Sequence, residues 1–272
     1  MTAERTQLQE NVLAGLIEQG MPVVALSPHL DDAVLSCGAL LTYAVSRTCV
    51  TVVTFFTEPG QAPYPTSARR YLHQAGEGDA DAVYSSLRAQ DRAALEPLGI
   101  TCVHAGLTDA LFRRHARPGR SRPARLLPEL GRSYLSRRSH VTSRRIGSAD
   151  AGTLRETREI IQRVAGSGAS LVLAPLAVGG DVDHVLVRTA AQSSGAPVGY
   201  YHDFPGRRDS AAEAFIYRHD LVETRWPEPD EPIQASGYHA LKLSRGAGTA
   251  FAAEVFYSAA NPSATASSAW WR

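Results

Sequence analysis

Lysine is almost missing from this chain: Lys242 is the only one, and arginine supplies nearly all the positive charge. Acidic residues balance it to a formal net charge of +1, so bulk charge does not argue for a nucleic-acid partner. Cysteine is scarce too. Cys37, Cys49 and Cys102 form no CxxC pair and sit in apolar sequence, which points to buried thiols in a reducing compartment. No apolar run approaches the roughly 18 residues of a membrane span. Residues 1–20 carry charges throughout and lack the apolar h-region of a secretory signal. The expectation is a cytoplasmic protein with no membrane partner. No Gly-x-Gly-x-x-Gly follows the first apolar strand, which counts against a dinucleotide cofactor, and no internal repeat is visible.

What is present reads as an α/β chain. Its 272 residues suffice for one large domain. Residues 7–19 form an amphipathic pattern. Pro22–Leu26 is too short for a helix and rich in valine, the signature of a buried parallel strand. A helical period follows over Ala33–Val45, then a strand over Cys49–Phe56, a helix over Ala82–Leu98 ending at Gly99, and a strand over Thr101–Ala105. Helix Ala151–Val164, strand Leu171–Ala174, a helix reaching about Ser193 and strand Val198–His202 continue the alternation. That rhythm predicts a mostly parallel sheet with helices on both faces. Ala214–Val222 and Ala253–Tyr257 read as further strands, added antiparallel. Residues 108–147 break the pattern: they are dense in arginine, with Arg113, Arg117, Arg125, Arg138 and Arg145 among them, and Pro118, Pro123 and Pro128 interrupt any long helix. The expected organisation is one domain over 1–257, with an Arg-rich insertion at about 108–147 and a disordered tail over 258–272.

In open parallel sheets, ligands bind beyond the carboxyl ends of the strands. Two strand ends here carry polar clusters: His29-Leu30-Asp31-Asp32 and Asp181-Val182-Asp183-His184. Imidazole and carboxylate are good ligands for a divalent metal, and three protein ligands with an open position is the arrangement of a catalytic zinc. Of two adjacent aspartates, one can bind metal while the other serves as general base. Blander readings stay open on spacing alone. Asp31 or Asp32 could simply cap the helix at Ala33, His29 could donate to a carbonyl, and His184 could be a surface histidine.

Ser27-Pro-His-Leu-Asp-Asp-Ala-Val-Leu-Ser-Cys-Gly38 resembles the first motif of the PIG-L (LmbE-like) de-N-acetylase superfamily. Gly180-Asp-Val-Asp-His184 resembles the second, usually His-x-Asp-His. Arg88-Ala-Gln-Asp91-Arg92, Leu98-Gly99, Thr108-Asp-Ala110 and Tyr200-Tyr-His-Asp-Phe-Pro205 are similar to further family segments, so the resemblance covers about residues 22–205. The first motif is closest to members that deacetylate sugars in bacterial natural-product and antibiotic pathways. The resemblance implies a Rossmann-like sheet, a Zn2+ ion held by His29, Asp32 and His184, and Asp31 as the base that activates water. Asp183 would orient a neighbouring group. Iron or cobalt could occupy such a site as well.

The sequence departs from the family at Asp181, where a histidine is usual. Three explanations follow: Asp181 with a raised pKa acts as an acid; His202, His140, His104 or an arginine of the insertion supplies the missing donor; or Asp181 becomes a fourth metal ligand in an altered enzyme. The second is preferred. The Arg-rich insertion reads either as a solvated loop or as a lid for an anionic substrate. Tyr238–Lys242 only faintly echoes the family's C-terminal region. The expected activity is hydrolysis of an N-acetyl amide on an amino sugar or sugar conjugate. The alternatives are cleavage of a larger thiol- or sugar-conjugate amide, and a catalytically altered member.

Overall fold

The computed structural model describes residues 11–74, 79–113, 145–166, 169–226 and 253–260. Most of the Arg-rich span, the Tyr238–Lys242 segment, His140 and the end of the tail lie outside those residues.

Chain order gives α1 (Val12–Glu18), β1 (Val23–Ser27), α2 (Asp32–Val45), β2 (Val50–Thr54), α3 (Thr66–Gln74), α4 (Ala80–Leu95) and β3 (Thr101–His104). Then come α5 (Ala151–Ala165), β4 (Leu171–Pro175), α6 (Val182–Ala191), β5 (Val198–Tyr201), α7 (Ser210–Arg218), β6 (Leu221–Trp226) and β7 (Glu254–Ala259). The sheet runs β3-β2-β1-β4-β5-β7-β6. Its first five strands are parallel, and β7 and β6 are antiparallel additions. β1 and β4 are buried along their whole length, as their unbroken apolar runs require of strands covered on both faces. One core packs α5, α6 and α7 on one face, around Ile161, Leu186 and Phe215. The other packs α1, α2 and α4, around Ile17, Leu40 and Leu95.

Several expectations change. Ala214–Val222 is not a strand: α7 occupies Ser210–Arg218. Asp209 caps that helix by accepting the N–H groups of Ala211 and Ala212, and Ala212 and Phe215 are buried three residues apart, a helical spacing. Asp220 turns the chain at φ 48°, so the strand starts only at Leu221. α3 was not expected; it starts after Pro65, whose carbonyl accepts from Arg69 N, and it buries Ala68 and Leu72. Ser258 and Ala259 belong to β7, not to a tail. Residues 108–113, the start of the expected insertion, pack beside the sheet: Thr108 bridges Glu58, and Leu111 and Phe112 are buried. Of the cysteines only Cys37 is buried; Cys49 is exposed and Cys102 half-buried, and none forms a disulfide.

Glu254 ties the antiparallel end of the sheet to α2. That helix breaks at Cys37 (φ −141°), and the freed N–H groups of Ala39 and Leu40 donate to the buried Glu254 carboxylate at 2.8 and 3.1 Å.

Candidate active site

The strand order reverses between β1 and β4, because the chain winds outward to β2 and β3 on one side and to β5 on the other. A crevice opens at such a reversal, beyond the carboxyl ends of the two strands. Both polar clusters predicted from the sequence meet there.

The turn after β1 is held by Ser27, whose hydroxyl donates to the His29 carbonyl and accepts from Ala33 N–H. Asp32 Oδ2 accepts the His29 amide at 2.8 Å. Asp31 sits at the N-terminus of α2 with φ 92°, a left-handed conformation, and its side chain makes no capping bond. Non-glycine residues persist there only when the surroundings enforce it. One such restraint is Asp91 Oδ1, which accepts the Asp31 amide at 3.3 Å. After β4, Ala177 and Gly179 adopt positive φ. Asp181 then caps α6 by accepting Asp183 N–H at 2.9 Å, and Asp183 and His184 fall in the first turn of that helix.

These turns bring His29, Asp32 and His184 together. Asp32 Oδ2 lies 3.4 Å from His29 Nδ1 and 3.2 Å from His184 Nε2. A tetrahedral ion bonded to nitrogen and oxygen at about 2.0–2.1 Å places its ligand atoms about 3.3 Å apart. Both separations match that figure, and the ligand atoms of all three residues lie within 4.8 Å of one another, which makes the trio a candidate holder of a divalent metal. His29, Asp109 and Asp183 form a second conceivable group. Asp183, however, is fully buried, lies 2.5 Å from Arg113 Nη2 and accepts Ala110 N–H, so its charge is already matched within the protein.

Supporting residues orient the trio. His184 Nδ1–H donates to Asp203 Oδ1 at 2.6 Å, which turns Nε2 toward Asp32. His29 Nε2–H donates to Asp183 at 3.3 Å. Burial acts to lower both histidine pKa values, but the carboxylates win: Asp183 and Asp32 raise His29 well above its usual value, and Asp32 and Asp203 do the same for His184. For Asp32, burial is likewise outweighed; His184 and His29 hold its carboxyl below the usual range.

His29, Asp31, Asp32 and Asp181 line one pocket, walled by Phe56, Tyr71 and Tyr84. Asp183 and His184 stand behind that surface. Of the preferred stand-ins for the family histidine, His202 and His104 do not line the pocket, since His202 Nε2 bonds the Gly206 carbonyl and His104 pairs with Asp91; His140 and most arginines of the insertion lie outside the described residues. Burial and then the Asp183 charge raise the Asp181 carboxyl pKa, opposed by His29 and His184. Asp203 stands inside the Tyr200–Pro205 segment with no role assigned by the sequence pattern, and neither does the pattern point to Tyr84, which donates to Asp109 at 2.7 Å. A signal for Asp203 existed: it is an acid directly past the carboxyl end of β5, beside β4.

A model of the PIG-L family, described as GlcNAc-PI de-N-acetylase, matches residues 24–194. A 2'-N-acetylparomamine deacetylase of Streptomyces fradiae is 27% identical over 248 residues, spanning 89% of this chain and 77% of that protein. Among solved structures, the zinc-inhibited form of a teicoplanin deacetylase superposes with a TM-score of 0.63 at 23% identity, covering 87% of this chain and 97% of its own. A deacetylase–teicoplanin complex gives 0.62 at 22%, with the same coverage. At such identities the structural likeness speaks for the fold.

Proposed function

The chain belongs to the PIG-L family of de-N-acetylases, and from that membership we propose that it removes the acetyl group from an N-acetylated amino sugar at the pocket between β1 and β4. One observation carries the reading: His29, Asp32 and His184 converge at metal-ligand separations while Asp31 and Asp181 line the same pocket. The relative from Streptomyces fradiae, by its name a 2'-N-acetylparomamine deacetylase, supports an N-acetylated amino sugar of natural-product biosynthesis as the substrate class.

His29, Asp32 and His184 would hold the cation, and two imidazoles with one carboxylate suit zinc. When bound, the ion supplies Lewis acidity to the amide carbonyl and to the attacking water. Asp31 takes the proton from that water as it adds to the acetyl carbon. The same carboxyl returns the proton to the nitrogen as the C–N bond breaks, releasing acetate and the free amine. Asp203 keeps the His184 proton on Nδ1, so Nε2 faces the site. Asp183, neutralised by Arg113, does the equivalent for His29. Burial raises the Asp181 carboxyl pKa, and in its neutral form that carboxyl would offer the developing oxyanion a hydrogen bond, where an ionised carboxylate would repel it.

Acetate release from N-acetylated amino sugars, 2'-N-acetylparomamine among them, tests the proposal. Asn tolerates the left-handed backbone, so Asp31→Asn is expected to keep its metal and lose about 10²–10⁴ in kcat. Wild-type turnover by that variant would refute the base, and no release by metal-loaded protein from any such sugar would refute the activity.

A further inference from the structure

Three side chains that the proposed reaction does not use converge at the β3 edge of the sheet. Cys102 and His104 lie two residues apart on β3, so they share one face of the strand, the face turned to Asp91 of α4. His104 Nε2 is 2.8 Å from Asp91 Oδ2. Cys102 Sγ is 3.6 Å from the same oxygen and 3.4 Å from His104 Nε2. A tetrahedral cation with a bond of about 2.3 Å to sulfur and about 2.0–2.1 Å to nitrogen and oxygen sets its ligand atoms about 3.3–3.6 Å apart. Two of the three separations already meet that figure, and the third requires His104 and Asp91 to part by about 0.5 Å.

We propose that Asp91, Cys102 and His104 form a second divalent-cation site, of thiolate–imidazole–carboxylate type and suited to zinc, separate from the His29–Asp32–His184 trio. The Asp91 and His104 side chains are more than nine-tenths buried, so the donors are held in place. Thr54 Oγ1 donates to Asp91 Oδ2, the oxygen that Cys102 and His104 approach, at 3.2 Å, and the Asp31 amide donates to Oδ1, so the carboxylate is held at both oxygens. His104 Nδ1 is buried with no hydrogen-bond partner, and it is the atom to which loading would move the ring proton from Nε2. Cys102 is half-buried on the edge strand, which gives the cation a route in. Burial, then the Asp91 charge, push the Cys102 thiol up to about 12, so its proton leaves to solvent only as the cation displaces it. Because Asp91 also receives the Asp31 amide, the site shares a carboxylate with the turn that carries the proposed base.

Cobalt(II) titration of the full-length, chelator-stripped protein tests this. A thiolate ligand gives a sulfur-to-cobalt charge-transfer absorption that a site of histidine and aspartate cannot give. The absorption is expected in the wild type and in His184→Ala, and is expected to vanish in Cys102→Ser. Its absence from the wild type would overturn the proposal and leave a plain hydrogen-bonded Asp–His pair; persistence in Cys102→Ser would overturn it in favour of another cysteine. Alkylation of Cys102, followed by mass spectrometry, needs no variant. Zinc should slow it about 100-fold when free zinc is about 100 times the dissociation constant; an unchanged rate at every zinc concentration would sink the site. Neither readout depends on turnover, so the result stands apart from the deacetylase reading.

Discussion

Replacing Asp203 by Asn leaves the shape of a buried side chain almost unchanged and removes its charge. The wild-type carboxylate accepts twice: from His184 Nδ1–H at 2.6 Å through Oδ1 and from Val178 N–H at 2.9 Å through Oδ2. Asn offers one acceptor oxygen. If that oxygen stays with Val178, the amide NH2 faces Nδ1, which must then accept, and the ring proton moves to Nε2, the atom that would face the metal. If it stays with His184, Val178 N–H loses its partner, at a cost of about 1–3 kcal/mol. Exchanging a charged hydrogen bond of about 1.5–3 kcal/mol for a neutral one of about 0.5–1.5 kcal/mol leaves a deficit of about 1–2 kcal/mol. That is roughly a factor of 5–30, at the low end of the 10–100-fold that partners of metal-binding histidines typically contribute. Zinc affinity, measured by competition with a chromophoric chelator, should fall by about 5–30-fold in Asp203→Asn. The fold should persist, and acetate release should recover partly at saturating zinc. An unchanged dissociation constant would refute the idea that Asp203 sets the His184 tautomer.

The metal-stripped protein should become less stable as pH rises above 6.5. His29 and His184 are raised well above that ordinary value by Asp183, Asp32 and Asp203, so the stabilisation they give is full below pH 6.5 and is lost as pH climbs through their folded values. Asp32 works in the opposite range, its contribution being lost as pH falls below the ordinary carboxylate value of 3.8. Thermal melts of stripped protein across this range check both, and a Tm flat from pH 6.5 upward would contradict the histidine pairing. Asp181→Ser keeps a helix cap and removes the pocket carboxyl; kcat for acetate release should drop about 10²–10³, and an unchanged kcat would show that Asp181 only caps α6. Glu254→Gln should destabilise the fold by about 1–3 kcal/mol, with no change in metal affinity. A melt identical to wild type would mean that the Ala39 and Leu40 amides do not need the charge.

Much of the site was legible because its residues sit where local pattern ends. The apolar runs of β1 and β4 stop at His29–Asp32 and just before Asp181–His184, and polar groups past parallel strands gather at one end of the sheet. The reversal that opens the crevice was not legible, since it depends on β1 pairing with β4 across the whole β2–β3 excursion. Long-range support was hidden for the same reason: Arg113 meets Asp183, and Asp91 meets the Asp31 amide 60 residues away. α7 was misread because Ala214–Val222 is rich in aromatic and β-branched residues, while its cap at Asp209 and the turn at Asp220 outweigh that local preference. The packing of Thr108–Arg113 was not legible either, because its polar residues meet Glu58, Tyr84 and Asp183, all distant in sequence.

Acetate release from an N-acetylated amino sugar, with zinc content measured on the same samples of wild-type and Asp32→Ala protein, tests the central claim most directly. Asp32 Oδ2 is the atom that both His29 and His184 approach. Wild type should release acetate, and Asp32→Ala, though folded, should lose one equivalent of zinc and its turnover together. Undiminished release by Asp32→Ala would contradict a metal-assisted reaction at this site.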